Sequence, residues 1–127
     1  MIKLAAILGL ALSAGLPNVA AAASDEVVVV GVPDGRLAAP ALIAKDYEKA
    51  LRRLAPMWPE GANDPARLIN LGNAYAGLGK MKVAREAYRS ARFAPESTLV
   101  LANGEVASSR DVARRALGRL EASYAMR

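Results

Sequence analysis

The stretch NLGNAYAGLGKMKVAREAYRSA, residues 70–91, mixes good helix formers with three glycines, Gly72, Gly77 and Gly79. A glycine inside a helix costs roughly 1 kcal/mol relative to alanine, so their presence here needs a structural reason. Apolar residues recur every three or four positions on both sides of Gly79, which predicts two amphipathic helices joined by a short turn. Helices connected so tightly must lie antiparallel, as a helical hairpin, with Gly79 in the left-handed conformation that ends the first helix.

The first helix begins after Asp64, an N-cap residue, with Pro65 at the first helical position. Gly72 falls on the apolar side of this helix, and Ala84 falls on the facing side of the second helix. We therefore expect the two backbones to approach closely there, and a bulky residue at position 72 to destabilise the fold by overpacking.

This spacing resembles the tetratricopeptide repeat, a helix–turn–helix unit of 34 residues. The residues that match the family pattern are Leu68, Leu71, Gly72, Tyr75, Gly79, Ala84, Tyr88 and Ala91. Two positions depart from it, since Leu68 stands where tryptophan is common and Pro95 comes one residue early. The match covers residues 64–95, and it implies a mostly α fold of stacked helical hairpins, as in an α-α superhelix.

A partial second copy of the pattern lies one period upstream. Ala50 precedes Ala84 by 34 positions, and the first helix of this copy would span residues 37–44. Lys45 replaces the glycine that usually forms the turn. Residues 37–95 are therefore predicted to form two helical repeats, the first of them degenerate, and the alternative is a single unrelated alanine-rich helix.

Residues 24–36 and 96–127 predict a small β element and a capping helix. Residues 98–107 alternate around Asn103-Gly104, a strong β-hairpin signal, and a helical pattern completes the segment 96–127. A lone hairpin is marginal in water, so we expect the run Val27–Val30, in the strand and loop predicted over residues 24–36, to add a third strand. This end would cap an array that has fewer than three repeats, and pairing of two chains is the alternative.

The first 23 residues have the order of a secretory signal peptide: Lys3, an apolar run over residues 4–16, and then small residues. The apolar run is shorter than the roughly 20 residues that span a bilayer. We expect cleavage before Ala23 or Ser24 and export to the periplasm, and the alternative is an uncleaved anchor. The chain has no cysteine, so packing alone must hold the exported fold.

The residue types argue against catalysis. The chain contains neither histidine nor cysteine, which removes the usual nucleophile–base pairs and most zinc sites. Its carboxylates stand at helix starts or on exposed faces, where capping and solvation explain them. The sequence therefore predicts a protein that is not an enzyme and has no catalytic, cofactor-binding or metal-binding residues.

The family resemblance implies a binding function. In the tetratricopeptide repeat the first helix faces a concave groove, where asparagine amides hold the backbone of an extended peptide. The positions implied to bind such a peptide or protein partner are Ala66, Ile69, Asn70, Asn73 and Ala76. The resemblance thus implies a scaffold or adaptor, and the alternative is that the asparagines merely belong to a stable repeat sequence.

A second candidate surface is basic. The net charge is +5, and Lys82, Arg85, Arg89 and Arg92 recur at helical spacing in the second helix of the repeat. They could form a patch for an acidic partner or an anionic surface, or an ordinary solvated face. No aromatic residues are interleaved for base stacking, so nucleic acid is not expected, and a membrane surface is not favoured. A self-associating structural module, such as a homodimer, is the remaining alternative.

Overall fold

A computed structural model describes residues 27–31, 35–56 and 61–125, and the predicted signal peptide, residues 1–23, lies outside these ranges. The described chain is mostly helical and carries a small three-stranded antiparallel sheet. The helices are α1 (Ala39–Ile43), α2 (Tyr47–Leu54), α3 (Pro65–Gly77), α4 (Met81–Phe93) and α5 (Ser109–Ala125), with one 3₁₀ turn at Gly61–Asn63. The strands are β1 (Val29–Val30), β2 (Thr98–Leu101) and β3 (Val106–Ser108).

The helical hairpin predicted over residues 64–95 is confirmed as α3 and α4. Asp64 caps α3, because its Oδ1 atom accepts a hydrogen bond from the backbone N–H of Ala66 at 3.0 Å. Gly79 has a φ of 77°, the left-handed conformation that the turn requires. Local capping and turn signals in the sequence thus fix where α3 begins and ends.

The other two glycines make room for tyrosine rings. A Cβ atom at Gly72 would lie 2.6 Å from Cδ1 of Tyr88 in α4, and one at Gly77 would lie 2.5 Å from Cγ of Tyr47 in α2. The sequence predicts a close approach of the two backbones at Gly72 and Ala84, and in the structure the atoms nearest a Cβ at position 72 belong to the Tyr88 ring. The close approach is therefore between a backbone and a flat ring, at a distance that only glycine permits.

The segment upstream also forms a helical hairpin, α1 and α2. Lys45 has a φ of 59° in its turn, and it precedes Gly79, with a φ of 77°, by 34 positions. Asp46 caps α2 by accepting a hydrogen bond from the backbone N–H of Lys49 at 3.2 Å. The turn therefore keeps its left-handed geometry without glycine, while α1 is reduced to the five residues Ala39–Ile43.

The predicted β-hairpin and its third strand are both confirmed. The sheet has the order β1-β2-β3, and both pairs of strands are antiparallel. Gly104 in the hairpin turn has a φ of 88°. Val29 lies opposite Leu101, so the strand near the start of the described chain joins a hairpin far along the sequence.

Helices α2 to α5 pack in sequence order, and the segment Val27–Val29, which leads into β1, contributes to both clusters of the core. Val27 and Val29 belong to the larger cluster, formed with α3, α4, α5 and β2, while Val28 belongs to the cluster formed with α1 and α2. All three valines are at most 2% exposed. Since each buried valine stabilises the fold by roughly 1.5–3 kcal/mol, the segment Val27–Val29 ties the two clusters together.

Candidate functional site

The residues implied to line a peptide groove are all buried. Their exposed fractions do not exceed 8%; the residues are Ala66, Ile69, Asn70, Asn73 and Ala76 of α3. Both asparagines form hydrogen bonds with the chain's own segment Val27–Val29. In this conformation the described residues 27–29 therefore occupy the face of α3 that the resemblance assigns to a partner.

Asn70 holds Val29 by both of its backbone groups. The Oδ1 atom of Asn70 accepts a hydrogen bond from Val29 N at 2.9 Å, and Nδ2 donates to Val29 O at 2.8 Å. The same Nδ2 atom donates to Leu37 O at 2.8 Å, so the amide also fixes the chain beyond β1. One side-chain amide thus does for Val29 what a neighbouring strand does in a sheet.

Asn73 extends the same hydrogen-bond network to Val27 and to Tyr88 of α4. Its Nδ2 atom donates to Val27 O at 2.9 Å and to Oδ1 of Asn70 at 3.2 Å. Its Oδ1 atom accepts a hydrogen bond of 2.7 Å from the Tyr88 hydroxyl. Burial raises the pKa of the Tyr88 phenol well above its ordinary value, so the hydroxyl keeps the proton that it donates.

The opposite edge of the segment is bonded to the sheet. Ala102 N donates to Val28 O at 2.9 Å, and Val30 pairs with Val100 in β2. The segment Val27–Val29 is therefore held on one edge by two amides and on the other by a strand, with all of its side chains buried. Chemically, this arrangement can hold an extended backbone that carries apolar, β-branched side chains.

Sequence reasoning missed Arg67, which is only 4% exposed. Its Nε atom donates to Leu54 O at 2.9 Å, and a terminal guanidinium nitrogen donates to Ala55 O at 3.3 Å. These carbonyls end α2, where backbone acceptors lack partners within the helix, so Arg67 joins the two helical hairpins. The signal that could have found it is its position within Pro65–Ile69, a stretch that is otherwise apolar.

The predicted basic arc of α4 does not form one uniform face. Lys82, Arg89 and Arg92 are exposed, whereas Arg85 is half-buried. A crevice of about 340 Å³ lies instead between the end of α4 and the start of α5, lined by Arg92, Phe93, Arg110 and Arg114. Positive charge is thus gathered from two helices around an aromatic ring.

The outer face of the sheet carries a row of apolar side chains. Val100 lies directly opposite Val30 on one side and Val106 on the other. The three valines are between 40% and 62% exposed. An apolar crevice of about 360 Å³, lined in part by Val30 and by the exposed Ile43, continues this surface toward α1.

Within residues 27–31, 35–56 and 61–125, no group of three or more acidic side chains is arranged to hold a metal ion. No helix in these ranges has the length and apolar character needed to cross a membrane. In comparisons with known proteins, no family model, curated protein or solved structure matches the chain.

Proposed function

We propose that this chain is an exported, non-enzymatic protein of the tetratricopeptide-repeat type that binds a segment of another protein, as a scaffold or adaptor. The supporting observation is the pair of amides of Asn70 and Asn73, which hold an extended backbone by its N–H and C=O groups. These are the positions where the family resemblance implies peptide binding. The bound segment in the structure is the chain's own Val27–Val29.

A partner segment would take the place of Val27–Val29. The groove favours three successive β-branched residues, because each side chain there is fully buried and the backbone is bonded on both edges. The resident segment competes at an effective concentration in the millimolar range, as tethered ligands do. Binding therefore requires β1 to open, and the partner must offer either a longer segment or additional contacts.

The test uses a labelled peptide with the sequence of residues 25–31, DEVVVVG, and a chain whose own strand is weakened by Val28→Thr. This substitution keeps the shape of the side chain but buries a hydroxyl group, so β1 should open more often. We expect the peptide to bind the Val28→Thr chain more tightly than the wild type, measured by fluorescence anisotropy. The matched control is a peptide with proline at the position of Val29, which cannot donate to Oδ1 of Asn70.

Adding Asn73→Ala to the Val28→Thr chain should remove most of this binding, because the amide that holds Val27 O is then lost. A circular dichroism spectrum of the doubly substituted chain verifies that its helices remain. Equal affinity for the proline peptide, or undiminished binding without the Asn73 amide, would contradict a backbone-reading groove.

A second candidate function, self-association, is favoured by the row Val30, Val100 and Val106 on the outer face of the sheet. Two such faces can pack together as sheets do in sandwiches, about 10 Å apart. Sedimentation equilibrium at several concentrations tests this, with Val100→Lys as the variant that should remain monomeric. A wild type that stays monomeric at the highest concentration would exclude this function.

A further inference from the structure

Phe93 is the most exposed large apolar side chain in the described ranges, with 79% of its surface open to solvent. It lies at the end of α4 in the crevice that also contains Arg92, Arg110 and Arg114, and we call these four residues the Phe93 patch. We propose that the Phe93 patch docks the protein on a membrane surface that contains anionic phospholipids. This interaction is separate from the peptide groove, which lies on the α3 side of the molecule.

The arginines of the patch are available for phosphate groups. Arg92 makes no ion pair with a carboxylate in the described part of the chain, and its guanidinium carbon lies 5.8 Å from the centre of the Phe93 ring. Arg110 and Arg114 form exposed ion pairs with Glu96 at 3.4 Å and with Asp111 at 3.2 Å. Pairs as exposed as these contribute little to stability, so both guanidinium groups can turn to a phosphate.

The shape of the patch favours a lipid headgroup over an acidic protein. The crevice of about 340 Å³ is lined by three arginines, whose guanidinium groups can turn toward one phosphate. The Phe93 ring lines one side of this crevice and still exposes 79% of its surface, so it is placed to enter the boundary between headgroups and acyl chains. An acidic segment of a protein would neutralise the arginines but would leave this ring in water.

Additional charge lies along the same helix. Lys82 and Arg89 are exposed on α4, and neither forms an ion pair within the residues that the structure describes. A basic side chain within a Debye length of an anionic leaflet increases binding about fivefold. The residues of the predicted basic arc that are exposed can therefore add to the attraction without touching the crevice.

The experiment reports where the exported chain, from which the predicted signal peptide has been removed, touches the membrane. The chain has no cysteine, so Ser90→Cys and Ala44→Cys each create a single site for an environment-sensitive dye. Residue 90 lies one helical turn before Phe93, and residue 44 follows α1. We expect the emission of the dye at residue 90 to shift to the blue on vesicles of phosphatidylcholine with about a third phosphatidylglycerol, and not on phosphatidylcholine alone. The dye at residue 44 should not shift on either.

Matched variants of the labelled chain separate charge from insertion. The double variant Arg92→Gln with Arg114→Gln should lower partitioning onto the anionic vesicles about 25-fold. The matched control, Lys49→Gln with Arg52→Gln, removes two exposed charges from α2 and should change partitioning less than threefold. Phe93→Ser should lower it about tenfold, and Ile43→Ser should leave it unchanged. High salt should weaken binding of the wild type.

Four results would overturn the proposal. Equal dye shifts at residues 44 and 90 would place the contact elsewhere on the chain, and equal binding to neutral vesicles would remove the role of charge. Competition by millimolar inorganic phosphate would indicate a site for free phosphate. Binding of soluble polyglutamate, without a dye shift on vesicles, would assign the Phe93 patch to an acidic protein partner.

Discussion

Replacing Asn70 with leucine tests whether the buried amides hold the N-terminal strand in place. Leucine has the same branched skeleton of side-chain heavy atoms as asparagine, although it is bulkier, and it leaves Val29 N, Val29 O and Leu37 O without the partners they have at 2.8–2.9 Å. The site is fully buried, so water cannot replace these bonds without rearrangement. A buried polar group without a partner costs about 1–3 kcal/mol. Three such groups lose their partners, and burial of the apolar leucine side chain offsets part of the total cost. We therefore expect Asn70→Leu to lower the free energy of unfolding by about 3–6 kcal/mol.

The assay has two parts. Urea unfolding gives the change in the free energy of unfolding, which for a domain of this size is about 5–15 kcal/mol in total, so the variant should be marginally folded. Hydrogen exchange then locates the effect: the amide of Val29 should lose protection by a larger factor than amides in the middle of α4. The control is Asn103→Ala, which removes one exposed hydrogen bond of 2.9 Å to Glu105 N and should cost less than 1 kcal/mol.

A result against this reasoning is easy to recognise. If Asn70→Leu costs less than 1 kcal/mol and the amide of Val29 remains protected, β1 is held by its pairing with β2 and by burial of its valines alone. The two amides would then be incidental to the position of the strand, and the peptide groove proposed from them would lose its main support.

Three further changes give distinct results. Gly72→Ala should lower the free energy of unfolding in urea by about 1–3 kcal/mol, because the new Cβ atom would overlap the Tyr88 ring. Gly118→Ala in α5, where a Cβ atom would have no other atom within 4 Å, should raise the free energy of unfolding by about 0.5–1 kcal/mol. The free energy of unfolding of the wild type should fall above about pH 10, because the Tyr88 phenol loses its proton at a lower pH in the unfolded chain than in the folded one. Tyr88→Phe should reduce this dependence of stability on pH. Arg67→Leu should cost about 2–4 kcal/mol by leaving the last carbonyls of α2 unpaired, and equal thermal stability would refute its capping role.

Features that depend on neighbours in sequence could be predicted. The N-cap at Asp64, the left-handed turn at Gly79 and the hairpin turn at Asn103-Gly104 each act over a few residues, and all three are present in the structure. Lys45 shows the limit of that approach, because it adopts a left-handed φ of 59° that its residue type disfavours. There the packing of α1 and α2 decides the conformation, against the local preference.

The content of the groove could not be predicted in this way. Asn70 and Val29 are separated by 41 residues, and no periodicity within α3 indicates which chain segment its amides would bind. The resemblance implies that the amides of Asn70 and Asn73 hold an extended backbone, but it carries no information on the source of that backbone, which in the structure is the chain's own Val27–Val29. The same limit applies to Tyr47 of α2, whose ring lies against Gly77 of α3 in the other helical hairpin.

The segment Val27–Val29 also gives a reason why two helical hairpins can form part of a stable core. Without further elements, the two helical hairpins would leave the apolar face of α3 open to water. Here Val27–Val29 and the sheet cover that surface, and α5 packs on α4. The same residues would then serve stability and partner binding, so the two must be linked: any change that stabilises β1 in the groove should weaken a competing peptide by the same free energy. A stability series at Val28 should therefore give peptide affinities that rise as the strand weakens, and a flat series would separate the groove from binding.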